Sequence, residues 1–121
     1  MSASIVVLVE SEVLPGRFEA LRDVIDRVIA HCSQTEPGML GYDWYVNADE
    51  SECRVVETYA DSDAVLFHFQ NYARFTEELA TCRTMKRLQV LGEPSEALTT
   101  ALAAMSPPVF RPFTGFVRDD A

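Results

Sequence analysis

The sequence predicts an α+β fold of the ferredoxin-like type, with the element order β-α-β-β-α-β. Three observations predict it. An apolar, β-branched run stands near the start of the chain, two segments with helical spacing of apolar residues follow it, and two alternating segments lie between those helices. In such a fold the helices cover one face of an antiparallel sheet.

The first strand and the first helix are predicted at residues 5–10 and from about residue 18. The run IVVLVE is rich in β-branched residues, which is typical of a buried strand. After a turn at SEVLPG, apolar residues recur at helical spacing at Phe18, Leu21, Ile25, Val28 and Cys32. The segment TEPG ends this helix after about five turns.

The second and third strands are predicted at 39–47 and 53–60, joined as a hairpin by the polar loop ADESE. Alternation predicts two faces for the second strand: Leu40, Tyr42, Trp44 and Val46 on one, and Met39, Gly41, Asp43 and Tyr45 on the other. On the returning strand Cys53, Val55, Glu57 and Tyr59 share one face. Alternation leaves open whether that face is directed toward the helices or toward a partner subunit.

The second helix is predicted to begin at DSD (61–63), with Asp61 or Ser62 as candidate N-cap, and to run to about Cys82. A break near Tyr72 is compatible with the pattern. Three further elements follow: a strand at 85–94, a short helix at 95–105 and a tail strand at 111–118. The chain is therefore expected to form one domain over residues 1–121, with a core at 5–92 and an extension at 93–121.

Composition argues against several classes of partner. Ten basic and nineteen acidic residues give a net charge of −9, which disfavours nucleic acid and anionic lipid. The start of the chain is typical of a strand rather than a signal peptide, and no apolar run has the length of a membrane span. Three widely spaced cysteines form neither a disulfide framework nor a zinc motif, so a reduced, cytoplasmic protein is expected.

The face of the sheet that the helices leave uncovered predicts a homodimer. The first strand is apolar on both faces, and the second carries large side chains on both. The simplest cover for the open face is the sheet of a second copy, related by a two-fold axis. We therefore expect a dimer that forms through the sheet faces.

One stripe of the second helix is more polar than packing alone requires. It contains Ala64, Phe67, His68, Asn71 and Tyr72. If Glu57 is directed toward the helices, its carboxylate would hold one tautomer of the His68 imidazole, which is the usual preparation of a general base. The alternative is that His68 and Glu57 satisfy each other in a polar seam and have no catalytic role.

Aromatic side chains are the candidate walls of a pocket for a flat ring. They are Tyr42, Trp44 and Tyr59 on the strands, joined by Asn71 and Tyr72 from the helix. Ordinary core packing uses the same aromatic residues on strands, so this interpretation competes with a purely structural one. His31 and His68 are too few for a histidine-rich metal site, so no metal site is predicted, although the sequence leaves a site with carboxylate ligands open.

The chain resembles the antibiotic biosynthesis monooxygenase superfamily of dimeric α/β barrels. The segment EPGMLGYDWY (36–45) is similar to that family's E-x-G-x-x-x-Y strand entry. The segment VVETYADSDAVLFH (55–68) is similar to its E-x-[WY]-x-D-x-x-A-x-x-x-H signature. The resemblance implies a cavity between sheet and helices, around which the matching residues Glu57, Tyr59, Asp61, Ala64 and His68 would lie.

The resemblance also implies an activity, a cofactor-independent monooxygenase that oxidises a small reduced aromatic compound, such as a quinol or an anthrone, with O2. His68 would be the base and Glu57 its orienting partner. The first strand lacks the asparagine that haem-degrading members use, so haem is disfavoured and no cofactor is expected. Two alternatives remain open: a non-catalytic dimeric ligand-binding module, and a cofactor-free isomerase or lyase that uses the same base without O2.

Overall fold

The computed structural model describes residues 3–118, which form three helices and a five-stranded sheet. The strands are β1 (Ile5–Val13), β2 (Met39–Val46), β3 (Glu52–Tyr59), β4 (Arg83–Leu91) and β5 (Val109–Phe110). The helices are α1 (Phe18–Thr35), α2 (Ser62–Ala80) and α3 (Glu96–Leu102). This order confirms the predicted ferredoxin-like β-α-β-β-α-β pattern with an added C-terminal helix and strand.

The strands lie across the sheet in the order β2-β3-β1-β4-β5. The first four are antiparallel to their neighbours, but β5 is parallel to β4, so the sheet is mixed rather than wholly antiparallel. The tail strand was expected at 111–118, but it is shorter and lies earlier in the chain, since only Val109 and Phe110 form it. The next residues include Pro112, which has no N–H to donate to a neighbouring strand.

The two long helices pack on the same face of the sheet. Alternate residues of β1 are buried beneath them, and the buried residues of α1 and α2 complete two adjoining clusters. Asp61 is the N-cap of α2, since its side chain accepts a hydrogen bond from the Ala64 N–H at 2.9 Å. The helix continues without a break past Tyr72.

The face of β3 that carries Glu57 is directed toward the helices. Cys53, Val55, Glu57 and Tyr59 are all buried, and Val55 and Tyr59 belong to the same core cluster as Val65 of α2. This register places Glu57 on the helix side of the sheet, where α2 also presents His68.

A β-bulge in β2 changes the predicted division of its faces. Met39 is opposite Tyr59, but Gly41 is opposite Thr58, so Leu40 is an extra residue in the strand. Met39 and Tyr42 therefore both pack against the helix-side core, while Leu40 is 64% exposed. The expectation that Leu40 shares a face with Tyr42, and that Met39 lies on the other face, is wrong for this reason.

The opposite face of the sheet is covered by none of the three helices in the described residues. Val6, Leu8, Val56 and Leu91 lie there and are only half-buried. None of the helices within residues 3–118 is both long and apolar enough to span a membrane.

Candidate active site

His68 lies on the inner face of α2 and is 3% exposed. Its Nδ1 atom is 2.9 Å from Glu36 Oε2 and 3.0 Å from Glu36 Oε1. Because an ionised carboxylate only accepts hydrogen bonds, this contact assigns the proton to Nδ1 and leaves the lone pair on Nε2. A carboxylate–imidazole pair of this kind orients a general base.

Glu36 is held where the chain leaves α1. It is the C-cap residue of that helix, its N–H donates to the Cys32 carbonyl, and it is 4% exposed. Asn71 donates from Nδ2 to Glu36 Oε2 at 2.9 Å and to Thr35 Oγ1 at 2.8 Å. The carboxylate is therefore fixed from two sides.

Glu57 lies on the Nε2 side of the ring. Its Oε1 is 4.0 Å from His68 Nε2, which is too long for a direct hydrogen bond, and it accepts a hydrogen bond from the Tyr59 hydroxyl. Burial raises the pKa of Glu57; a protonated His68, the Tyr59 hydrogen bond and the Arg83 charge each oppose the shift. The site thus contains an imidazole and a buried carboxyl group whose pKa is raised.

A cavity of about 140 Å³ opens beside these groups. It is lined by Val7, Val9, Tyr42, Trp44, Val55, Glu57, His68, Phe69, Tyr72, Arg83, Met85, Leu88 and Met105. Met85 and Met105 are about half exposed and so form its rim. An apolar cavity of about this volume is known to hold one benzene molecule, so the space is suited to about one aromatic ring.

Two tyrosines enclose the imidazole. Tyr72 stacks on His68 with ring centroids 5.2 Å apart, and Tyr42 meets it edge-on at 5.3 Å. Burial raises the pKa of both tyrosines and of Tyr59, so their hydroxyls keep their protons.

The structure brings five of the seven predicted site residues to the cavity: His68, Glu57, Tyr42, Trp44 and Tyr72. Tyr59 and Asn71 do not line it. Tyr59 is fully buried, and its hydroxyl donates a hydrogen bond to Glu57. Asn71 donates a hydrogen bond to Glu36, which lies at the end of α1.

Two charged residues at the site were missed from the sequence. Glu36 had two signals: it is the acidic residue of the segment similar to E-x-G-x-x-x-Y, and an acidic residue at a helix C-terminus is unfavourable with the helix dipole. Arg83 had none, because β4 was expected to begin at residue 85 whereas it begins at Arg83 itself.

Cys32, Glu36 and His68 are the described residues whose ligand atoms are close enough to hold a metal ion, all within 4.8 Å of one another. Burial raises the pKa of the Cys32 thiol to about 12, and His68 Nδ1 already contacts Glu36. A metal ion would therefore have to displace the protons of both the thiol and Nδ1.

Comparisons with known proteins agree with this architecture. The profile of a family described as antibiotic biosynthesis monooxygenase matches residues 4–77. No curated protein sequence matches the chain significantly.

Several solved structures have a similar fold. MupZ from Pseudomonas fluorescens has a TM-score of 0.88 and 27% identity over 98% of this chain and 91% of its own. Rv0793 from Mycobacterium tuberculosis has a TM-score of 0.64 and 26% identity over 78% and 98% of the two chains. SnoaB, a cofactor-independent oxygenase from Streptomyces nogalater, has a TM-score of 0.66 over 78% and 96%, but at 13% identity this likeness concerns the fold alone. The likeness to MupZ thus extends over nearly the whole of this chain, whereas each of the other two covers 78% of it.

Proposed function

Because the chain belongs to the antibiotic biosynthesis monooxygenase family, we propose that it is a cofactor-independent monooxygenase that oxidises a small reduced aromatic compound, a quinol or an anthrone-like phenol, with O2. The observation that carries this proposal is the His68 imidazole, which a buried carboxylate holds at Nδ1 beside an apolar cavity. A base positioned in this way prepares an aromatic hydroxyl for oxidation, since the phenolate is far richer in electrons than the phenol.

In the proposed reaction Nε2 of His68 takes the proton of a phenolic hydroxyl. The phenolate gives one electron to O2, and the resulting radical and superoxide combine at a ring carbon to form a peroxide. Loss of water from the peroxide leaves a carbonyl at that carbon. One oxygen atom of O2 enters the product, and the other leaves in water with two hydrogens of the substrate. The apolar walls keep bulk water from the charged intermediates.

The remaining residues would support this chemistry. Glu36 orients the imidazole and stabilises its protonated form, and Asn71 holds Glu36 in place. Glu57, which Tyr59 holds, returns a proton to the departing oxygen. The walls against the aromatic ring are Tyr42, Trp44 and Tyr72.

A second candidate function is a cofactor-free isomerase or lyase. The observation that favours it is the presence of both a base and a carboxyl group of raised pKa, with His68 Nε2 and Glu57 Oε1 4.0 Å apart. Such a pair can remove a proton from one atom of a substrate and deliver one to another without any oxidant.

The test is O2 uptake with a panel of hydroquinones and anthrones, using wild type, His68→Ala and Gln70→Ala at equal folded concentration. Gln70 is exposed on the same helix and serves as the matched control. We expect uptake above the autoxidation blank that falls about 100-fold or more in His68→Ala and is unchanged in Gln70→Ala.

Other outcomes separate the alternatives. Substrate conversion that continues under anaerobic conditions would identify the isomerase or lyase. Ligand binding without any conversion would indicate a non-catalytic module and reject both catalytic proposals.

The homodimer through the sheet faces belongs to the same proposal. It is supported by the half-buried apolar residues of the open face, and by the C-terminal tail, where Phe113 and Val117 are 97% and 93% exposed. Leu8→Glu places a charge at the centre of that face, whereas Phe67→Glu makes the same kind of change on the helix surface. Sedimentation velocity should give a dimer for wild type and Phe67→Glu and a monomer for Leu8→Glu. A monomeric wild type would refute this part of the proposal.

A further inference from the structure

Arg83 brings a positive charge into the wall of the cavity. Its side chain is buried, and the residue is 8% exposed. Nη1 donates to Ser11 Oγ at 2.6 Å, and Nη2 donates to the Tyr72 hydroxyl at 2.8 Å. Both partners are neutral, so these hydrogen bonds orient the guanidinium without balancing its charge.

No carboxylate of residues 3–118 lies within 4.0 Å of the Arg83 guanidinium. The ion pairs among these residues all involve other side chains. Glu57 is the carboxyl group that shares the cavity with it; its charge interacts with Arg83, but the two groups form no ion pair within 4.0 Å. A buried cation without a paired anion is unfavourable, and proteins normally supply such a partner.

The neighbouring wall contains a hydrogen-bond donor without an acceptor. The Arg83 guanidinium lies over the Trp44 ring, with Cζ 5.3 Å from its centroid. The Trp44 indole N–H is buried and has no hydrogen-bond partner among the described residues. A carboxylate would suit the Arg83 guanidinium and the Trp44 N–H, because it accepts several hydrogen bonds and its negative charge balances the guanidinium.

We propose that Arg83 binds a carboxylate of the ligand, so that the cavity takes a small aromatic acid in preference to a neutral aromatic compound. Tyr72 connects the two ends of such a ligand, because its hydroxyl accepts from Arg83 while its ring stacks on His68. The acidic surface of the protein does not oppose this, since exposed charges are screened by salt and the guanidinium acts at contact distance. The identification of the ligand as a substrate rests on the proposed function, whereas the binding preference does not.

The test is equilibrium binding measured by calorimetry under anaerobic conditions, with Trp44 fluorescence as a second readout because Trp44 is the only tryptophan. The probes are 2,5-dihydroxybenzoate, 2,5-dihydroxybenzamide, benzoate and benzamide. We expect each acid to bind about tenfold to a hundredfold more tightly than its amide. Arg83→Gln should abolish the difference. Arg74→Gln, which removes an exposed arginine of α2, should leave it unchanged.

Equal affinity of acid and amide for the wild type would overturn the inference. So would an acid preference that persists in a folded Arg83→Gln variant, or the failure of both acids to bind at millimolar concentration. If Arg83→Gln does not fold, Arg83→Lys replaces it, because it keeps the charge but loses the planar guanidinium donors and should retain only part of the preference.

The outcome is independent of turnover. Arginine-dependent binding of an acid that is never oxidised would support this inference and reject the monooxygenase. Oxidation of neutral quinols by a protein that binds no acid would do the reverse.

Discussion

Replacing Gly38 even by alanine is expected to destabilise the fold, because α2 approaches the start of β2 at this residue. A Cβ atom added to Gly38 would lie 2.8 Å from the Cβ of Ala64 and 3.8 Å from its Cα. The Gly38 backbone has little freedom to withdraw, since its carbonyl accepts a hydrogen bond from the Ala60 N–H at 2.8 Å. Gly38→Ala should therefore push the N-terminus of α2 away from the sheet.

The expected cost follows from two opposing effects. Overpacking of this kind typically costs about 1–3 kcal/mol. Replacing glycine also lowers the entropy of the unfolded chain, which returns about 0.4–1 kcal/mol. The free energy of unfolding should thus fall by about 1–2 kcal/mol. For a chain of 121 residues, 1 kcal/mol corresponds to about 4 °C in Tm, so the decrease should be about 4–8 °C.

The assay is thermal and urea unfolding of wild type, Gly38→Ala, Ala64→Gly and the double variant. Ala64→Gly alone should cost about 1 kcal/mol as a helix substitution. In the double variant the clash is absent. Its loss of unfolding free energy should therefore be smaller than the sum of the two single losses by about 1 kcal/mol or more. Gly41→Ala is the matched control three residues further along the chain, in β2, because a Cβ there would meet Thr58 Oγ1 at an ordinary 3.6 Å. Additive single effects, or an equal loss in Gly41→Ala, would refute the reasoning.

Three further predictions concern the buried polar and titratable groups. Long-range ¹H–¹⁵N spectra at pH 8 should find the His68 proton on Nδ1, and Glu36→Gln should weaken the preference for this tautomer. An Nε2–H tautomer in the wild type would contradict the pairing of His68 Nδ1 with Glu36. Because burial raises the pKa of Glu57 in the folded chain, the unfolded chain releases this proton first, and stability should fall as the pH rises above about 4.5 toward the raised value. Glu57→Gln removes this pH-dependent loss of stability, so the Tm of the variant minus that of wild type should be larger at pH 8 than at pH 4. An equal difference at both pH values would contradict the raised pKa of Glu57. All three cysteines are 1–2% exposed, so iodoacetamide should add no mass to the native protein and three groups to the unfolded one, and rapid native labelling would show that the core is not packed as described.

Much of the fold could be predicted because it depends on local periodicity. The alternation of β1 and the helical spacing of α1 are properties of neighbouring residues, and the structure confirms both elements. The hairpin of β2 and β3 was also predicted correctly, but its bulge at Leu40 was not. Strand alternation assumes a regular pleat, and one extra residue reverses the faces on one side of it.

The candidate site was predictable only in part, for a reason of distance along the chain. His68 and Glu57 were identified because a polar residue on an inner face requires a partner. The carboxylate that contacts His68 Nδ1 is Glu36, which is 32 residues away in sequence, so no spacing rule could relate the two. Arg83 was missed because β4 was expected to begin at residue 85, and no local pattern relates it to Ser11, which is 72 residues distant.

The sequence by itself therefore determined the elements, their order, the buried side of α1 and the presence of an imidazole on the inner face of α2. These follow from periodicity, turn residues and the cost of leaving apolar surface in water. Only the tertiary structure decided that β3 presents Glu57 toward the helices, and which carboxylate holds His68. It also placed Arg83 and Trp44 in the wall of one cavity, and the Trp44 indole N–H has no hydrogen-bond partner within residues 3–118. Those features depend on strand register and helix docking, which join residues that are far apart in the chain through packing of the whole domain.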